Sequence, residues 1–194
     1  MKIKNENYNK IPESTTELSE KELRNEEVIL EILENHDING IEKIRNLFNL
    51  SKGQIELASQ YAGLRKSTIS EMEKELENRK KENPDKTAEE EKLGVFIEKL
   101  EPQVKNTILR LQTKGYKTYE SGFKLFGDQM IGFRENYFQN PKIFKDLQDK
   151  LKTQDINLEI KPDHLILGFK KFYSINEMKE IWDKIADELP ELEK

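Results

Sequence analysis

Few side chains in this sequence have the types and spacing that catalysis requires. His36 and His164 are the only histidines and cysteine is absent, so thiolate sites and cysteine nucleophiles are excluded. Neither histidine stands at metal-ligand spacing from the other or from a carboxylate pair, and we interpret His164 as a strand-edge residue. No Gly-Lys-Ser/Thr sequence is present to cradle phosphate. We therefore expect no metal and no cofactor, and enzyme activity is the disfavoured alternative.

Side chains suited to binding another molecule are more common than catalytic ones. The first group of them lies in a segment that carries cationic and hydroxyl side chains. Residues 41–81 hold nine basic and six acidic groups, although the whole chain has a net charge of −5. Lysine, arginine, serine and threonine are the side chains that hold phosphate groups of nucleic acids. The candidate nucleic-acid contacts are Lys52, Arg65, Lys66, Ser67 and Thr68.

This segment resembles a known DNA-binding motif. The stretch Gly63-Leu64-Arg65-Lys66-Ser67-Thr68-Ile69-Ser70 resembles the turn and the start of the recognition helix in repressor-like and winged helix-turn-helix proteins. The resemblance covers residues 50–74 and implies a turn at Gly63, followed by a helix whose first residues face DNA. In one departure from the family, the Leu57-Ala58 pair is displaced by one residue. A plain helical hairpin with a solvated turn is the alternative.

A second group of candidates consists of aromatic residues in the C-terminal half. Alternation along a strand sends Tyr116, Thr118 and Glu120 to one face and Tyr119 with its alternate neighbours to the other. If helices cover only one face of a sheet, aromatics on the other face could bind bases or a protein. The candidates for a groove or sheet-face site are Tyr116, Tyr119, Phe133 and Phe169. The alternative is that they are ordinary core residues.

Composition limits the class of protein. Charged residues make up 37% and apolar residues 35% of the 194 residues, which is typical of a helix-rich protein with a lean core. No apolar run approaches the roughly 18 residues of a membrane span, and the N-terminus lacks the apolar region of a secretory signal. We expect a cytoplasmic protein that does not contact membranes. A general polyanion binder would be basic overall, which this chain is not.

The elements that would position these candidates fall into four parts. Residues 1–24 predict a disordered tail, and residues 25–83 predict helices broken at Asn39-Gly40 and at Gly63. Residues 84–114 predict a long connecting helix, which begins at a capping box formed by Thr87 and Glu90 and kinks or restarts at Pro102.

Residues 115–194 change character. Residues 115–173 hold eleven of the sixteen aromatics and five of the nine glycines, which is a strand signal. Strands are predicted at 116–123, 128–134, 156–161 and 164–172, with helices that begin at Asn140-Pro141 and at the Ser174…Glu177 capping box. The sequence therefore predicts an α+β fold: a helical N-terminal region and a four-stranded antiparallel sheet in ββα-ββα order with helices on one face.

An apparent duplication supports this order. The segment Met130-Ile131-Gly132-Phe133-Arg134 is similar to Ile166-Leu167-Gly168-Phe169-Lys170, and Tyr137 matches Tyr173 at the same offset of 36 residues. Two such units would be related by a pseudo-twofold axis, with a groove where they meet.

Three functions follow as alternatives. The first is a non-catalytic, nucleic-acid-associated or regulatory binding protein that uses the basic segment. The second is a protein-interaction or scaffolding module that uses the uncovered sheet face, with homodimerisation as one form of it. The third is a small-molecule binder or enzyme that uses the groove between the ββα units.

Overall fold

The predicted α+β fold is confirmed. The computed structural model describes residues 18–86, 88, 100–139, 141–151 and 155–192. The helices discussed below are α1 (Glu26–Glu34), α2 (Ile38–Leu47), α3 (Lys52–Glu82), α4 (Pro102–Thr113), α5 (Pro141–Leu151) and α6 (Ile175–Glu188). The strands are β1 (Thr118–Phe123), β2 (Gln129–Phe133), β3 (Ile156–Lys161) and β4 (His164–Phe169).

The first two helices are separated at His36, not at Asn39-Gly40. His36 has a φ of 52°, and the Asp37 side chain accepts hydrogen bonds from the backbone N–H groups of Asn39 and Gly40 at 3.1 and 3.2 Å. This N-cap places both residues inside the first turn of α2. The predicted break at Asn39-Gly40 is therefore wrong, because Asp37, two residues before Asn39, caps the start of the helix.

Helix α3 is continuous through Gly63. It begins at the predicted Ser51 cap, where Ser51 and Gln54 form a capping box, and it runs unbroken from Lys52 to Glu82. A single glycine inside a helix costs only about 1 kcal/mol relative to alanine, and alanine, leucine, arginine and lysine beside it favour the helix. The prediction that Gly63 ends a helix is wrong, and the turn that the resemblance implied is not formed there.

The ordered N-terminal region begins earlier than predicted. Leu18 and Leu23 are buried with residues of α1, α2 and α3 in one apolar cluster, so the predicted disorder is wrong for residues 18–24. Residues 1–17 of the predicted tail lie outside the described residues. The hydrophobic effect explains the difference, because two leucines add their burial to a cluster that the three helices otherwise leave open.

A helix begins at Pro102, the residue at which the sequence predicts a kink or a restart. Pro102 is the first residue of α4 and Glu101 before it is extended, with φ −57° and ψ 140°, as expected for a residue that precedes proline. The predicted capping box of Thr87 and Glu90 lies outside the described residues, as does the Asn140 cap of α5. The predicted Ser174…Glu177 capping box of α6 is present.

The sheet has the order β1-β2-β4-β3, and every neighbouring pair is antiparallel. Helices α4, α5 and α6 pack on the face that carries Ile131, Phe133, Leu165 and Leu167, which are almost fully buried. The opposite face carries the alternate residues of each strand. We call it the open face, because the described residues place α4, α5 and α6 on the other side.

The central strands meet at the point where the two predicted repeats would meet. Met130 lies opposite Ile166 in the β2–β4 pair, and these two residues are also equivalent under the 36-residue offset. A pseudo-twofold axis relating the repeats would pass through this pair. The duplication itself stays a prediction, since amphipathic ββα units share apolar spacing for physical reasons alone.

Two aromatic side chains join the helical cluster to the sheet. Tyr61 of α3 is buried, and its hydroxyl donates to the carbonyl oxygen of Lys171 at 3.0 Å and accepts from the backbone N–H of Tyr173 at 2.9 Å. Phe126, between β1 and β2, packs edge-on against Phe48 with ring centroids 5.4 Å apart. Phe126 has a φ of 64°, an uncommon conformation for a bulky residue.

Candidate functional site: the open face of the sheet

The predicted nucleic-acid contacts lie on α3, where several are already engaged. The guanidinium of Arg65 is 3.3 Å from the Glu34 carboxylate, and the Lys66 ammonium donates to the Asn35 side chain at 3.3 Å. The Ser67 hydroxyl donates to the Leu64 carbonyl, Thr68 is 5% exposed, and exposed Lys52 lies 3.7 Å from Glu56.

Arg65 and Lys66 line a cleft between α1 and α3 with a volume of about 470 Å³. The same cleft is lined by Glu27, Glu31 and Glu34. Phosphate would have to displace Glu34 from Arg65 and would be repelled by the other two carboxylates, and both effects oppose binding.

Of the four predicted groove or sheet-face aromatics, the structure places only Tyr119 on the open face. Tyr116 and Phe133 are 2% and 1% exposed and belong to the helix-covered core, and Phe169 packs against the same core. Simple alternation along β1 fails because a bulge shifts the register between Thr118 and Glu120. The extra residue of a bulge re-aims the side chains around it, so Thr118 faces the helices while Glu120, predicted to share its face, lies on the open face with Tyr119.

The open face has a small apolar centre and a polar periphery. Met130 and Ile166 lie opposite each other at the centre, and Met130 is only 7% exposed. The other side chains of the face lie in the four strands and the β1–β2 connection: Tyr119, Glu120, Lys124, Asp128, Asn157, Glu159, Lys161 and His164.

Three side chains at one end of the open face form a continuous hydrogen-bonded chain. The Tyr119 hydroxyl lies 2.9 Å from His164 Nε2, and His164 Nδ1 lies 2.7 Å from the Asp163 carboxylate. An ionised carboxylate only accepts hydrogen bonds, so Nδ1 carries a proton, and in the neutral imidazole Nε2 then accepts from the phenol. The chain thus couples an acid, an imidazole and a phenol in the order of a charge-relay triad.

The backbone holds this chain in place. The turn that carries Asp163 accepts two hydrogen bonds, from Phe133 N–H to the Asp163 carbonyl at 2.8 Å and from Phe138 N–H to the Pro162 carbonyl at 3.1 Å. Gly132 lies beneath the Tyr119 ring, where a Cβ would stand 3.0 Å from Tyr119 Cζ. Glycine at this position therefore lets the ring approach β2 closely, and a Cβ would press on it.

The other end of the open face carries a carboxyl in an unfavourable environment. Burial, and secondly the negative charge of Glu159, raise the pKa of Asp128 to about 6. Gly168 leaves room for this side chain, since a Cβ there would stand 3.2 Å from Asp128 Oδ1. Among the described residues, the groups that shift this pKa include no cation, which would have the opposite effect.

A further carboxyl, Glu101, closes the edge of β1. Its side chain accepts from Phe123 N–H at 3.0 Å and from Gln103 Nε2 at 2.6 Å, and burial raises its pKa. Gly122 makes the approach possible, because a Cβ there would stand 2.6 Å from the Glu101 carboxyl. We assign Glu101 a structural role, since it satisfies a backbone donor of an edge strand.

Sequence reasoning found Tyr119 but missed its partners. His164 was interpreted as a strand-edge residue, and it is the first residue of β4. What was missing was the register that sets Gly132, and with it the Tyr119 ring above it, beside His164. The adjacent Asp163-His164 pair was the only local signal.

No protein-family model, no curated protein and no solved structure matches the chain. Within the described residues, no group of three or more histidine or carboxylate side chains could hold a metal ion. No helix in that part of the chain has the length and apolar character needed to cross a membrane.

Proposed function

We propose that this protein is a protein-interaction module whose open sheet face receives a cationic side chain of its partner. The observation that carries the proposal is Asp128, a partly buried carboxyl whose pKa burial and Glu159 raise to about 6. An ionised group in such a place gains stability when a partner supplies the missing positive charge. Since the chain contains no cysteine, we further propose that it acts in the cytoplasm.

The charges around Asp128 support a lysine or arginine in the partner. Glu120 pairs with Lys124, and Glu159 lies 3.5 Å from Lys161, so these charges are partly balanced within the face. Asp128 adds a negative charge beside the apolar pair Met130 and Ile166. An apolar contact next to a carboxylate fits the aliphatic stem and charged head of a long cationic side chain.

The nucleic-acid prediction stays a prediction with weaker support. It depends on Arg65 and Lys66, which contact Glu34 and Asn35. The groove of the third alternative would lie along the Met130–Ile166 pair and therefore coincides with the open face.

The test is a titration of ¹⁵N-labelled protein with a hexapeptide of alternating arginine and valine, followed by amide chemical shifts. We expect shifts that cluster at Asp128, Glu159 and Gly168. Asp128→Asn should weaken binding by about fivefold, since loss of a partly exposed ion pair costs roughly 1 kcal/mol.

The matched control is Glu73→Gln, which changes the net charge equally at an exposed position of α3 and should leave binding unchanged. Shifts spread over α1 and α3, or unaltered affinity in the Asp128 variant, would refute the proposal. Binding of a uridine 12-mer that shifts the amides of Arg65 and Lys66 would favour the nucleic-acid alternative instead.

A further inference from the structure

We infer that Tyr119 is a nucleophilic tyrosine, activated by His164 and Asp163, that accepts acyl groups from activated carboxylic acid derivatives. Phenols are weak nucleophiles while they keep their proton, and a neighbouring base makes them stronger. The Tyr119 hydroxyl is 2.9 Å from His164 Nε2, and that nitrogen is free to accept the proton because Nδ1 donates to Asp163 at 2.7 Å. This inference does not depend on the proposed partner at Asp128.

The site is accessible and is held in position. Tyr119 is 52% exposed, so a reagent can reach its oxygen, whereas Tyr61 and Tyr116 are buried. The Tyr119 ring lies over Gly132 and meets the imidazole edge-on, with ring centroids 6.0 Å apart. Fixed geometry between nucleophile and base removes much of the entropy cost of bringing them together.

The acyl transfer balances in atoms and charge. The Tyr119 oxygen attacks the carbonyl carbon, and an O–C bond forms while the bond from that carbon to the leaving group breaks. The phenol proton moves to His164 Nε2, and the imidazolium so formed is stabilised by the Asp163 carboxylate. His164 then passes the proton to the leaving group. The product is an O-acyl tyrosine with the imidazole restored to its neutral form.

The surrounding charges favour an acyl donor over a phosphoryl donor. Asp163 contacts the imidazole itself, and Lys161, which lies opposite His164 in β3, lies 3.5 Å from Glu159. A dianionic phosphoryl group would be repelled by Asp163 and would find this lysine already neutralised. A neutral carbonyl carbon meets no such barrier.

The test measures acetylation of the full chain by N-acetylimidazole, with each tyrosine followed by peptide mass spectrometry. Here the bond that breaks joins the acetyl carbon to the imidazole nitrogen of the reagent. We expect Tyr119 to react about tenfold faster in the folded protein than in urea, a smaller effect than the roughly hundredfold or more of general-base catalysis in enzymes. Tyr137 is the internal control, since its hydroxyl accepts from Lys117 N–H at 3.2 Å and its hydrogen-bonded side-chain neighbour is the weakly basic carboxylate of Glu135 in place of an imidazole.

Two variants separate the base from simple positioning. His164→Gln keeps an oxygen that can accept from the phenol but cannot take its proton, so the Tyr119 rate should fall to that seen in urea. Asp163→Asn should give an intermediate rate, and Tyr137 should react equally in all three proteins. Circular dichroism verifies that the variants fold. Equal rates for Tyr119 and Tyr137, or an unchanged Tyr119 rate in His164→Gln, would overturn the inference.

Discussion

At the scale of single residues, the binding proposed for the open face depends on a charged group in an unfavourable environment. Asp128 is the clearest case, since burial and Glu159 raise its pKa from the usual 3.8 to about 6. A raised carboxyl pKa means that the folded state binds the proton more tightly than the unfolded state does. The stability associated with the neutral form is complete below about pH 4 and is lost as the pH rises through about 6.

Asp128→Asn should therefore stabilise the protein at neutral pH. Asparagine resembles the protonated carboxyl in size and carries no charge, so the cost of ionisation disappears. We expect a gain of roughly 1 to 2 kcal/mol in the free energy of unfolding at pH 7.5, after allowance for solvent screening, and none at pH 4. Urea unfolding at both pH values measures it, and an equal difference at the two would contradict the assigned cause.

The same variant sharpens the functional test. A protein that becomes more stable and yet loses affinity for the cationic peptide cannot have lost it through unfolding. Stabilising substitutions that reduce function are typical of binding sites, where poorly accommodated charges are retained for the ligand.

At the scale of elements, local signals identified the starts of helices better than their ends. The side chains of Ser51 and Ser174 accept a hydrogen bond from a backbone N–H in the first turn of the helix, and Pro102 has no N–H that would need a partner. Both effects act within a few residues and can therefore be recognised in the sequence. Gly63 looked like a helix end because glycine is common there, but an isolated glycine ends a helix only when the chain has a reason to turn. Similarly, no local pattern revealed the bulge between Thr118 and Glu120, because it depends on the pairing with β2.

Helix α3 leads to a prediction about Gly63. A Cβ at this position would have no heavy atom within 4 Å other than its own chain neighbours and helix backbone, and the position is helical. Gly63→Ala should raise the free energy of unfolding by about 0.5–1 kcal/mol, because alanine loses less backbone entropy in a helix. Thermal unfolding measures the change.

Gly53→Ala is the matched control. Its Cβ also meets open space, but it lies in the first turn of α3, where the backbone N–H groups are not yet bonded within the helix, so the gain should be smaller. Destabilisation by Gly63→Ala would indicate that the chain turns at this residue, as the helix-turn-helix resemblance implied.

At the scale of the whole molecule, the question is whether the two apolar clusters unfold together. The helical cluster of Leu18, Leu23 and helices α1 to α3 is distinct from the cluster formed by the sheet and helices α4 to α6. Tyr61 belongs to the sheet cluster although α3 carries it, and Phe126 packs on the helical cluster although it lies between β1 and β2. The sequence predicts these regions as separate parts of the chain. A single aromatic side chain that packs in the cluster of the other region, as Tyr61 and Phe126 do, produces no periodic pattern in the sequence.

Tyr61→Phe should weaken this connection without creating a cavity. The substitution removes the hydroxyl that bonds to the backbone at Lys171 and Tyr173 and leaves a buried donor and acceptor unpaired, at a cost of about 1–3 kcal/mol. Native-state hydrogen exchange should show equal losses for the slowest amides of α1 and β2, since one cooperative unit loses the same free energy throughout. Tyr137→Phe, which removes a partly exposed hydroxyl that accepts from Lys117 N–H, should cost less. A loss confined to α1 would mean that the helical cluster opens separately, and the open face would then be held by the sheet and its three helices alone.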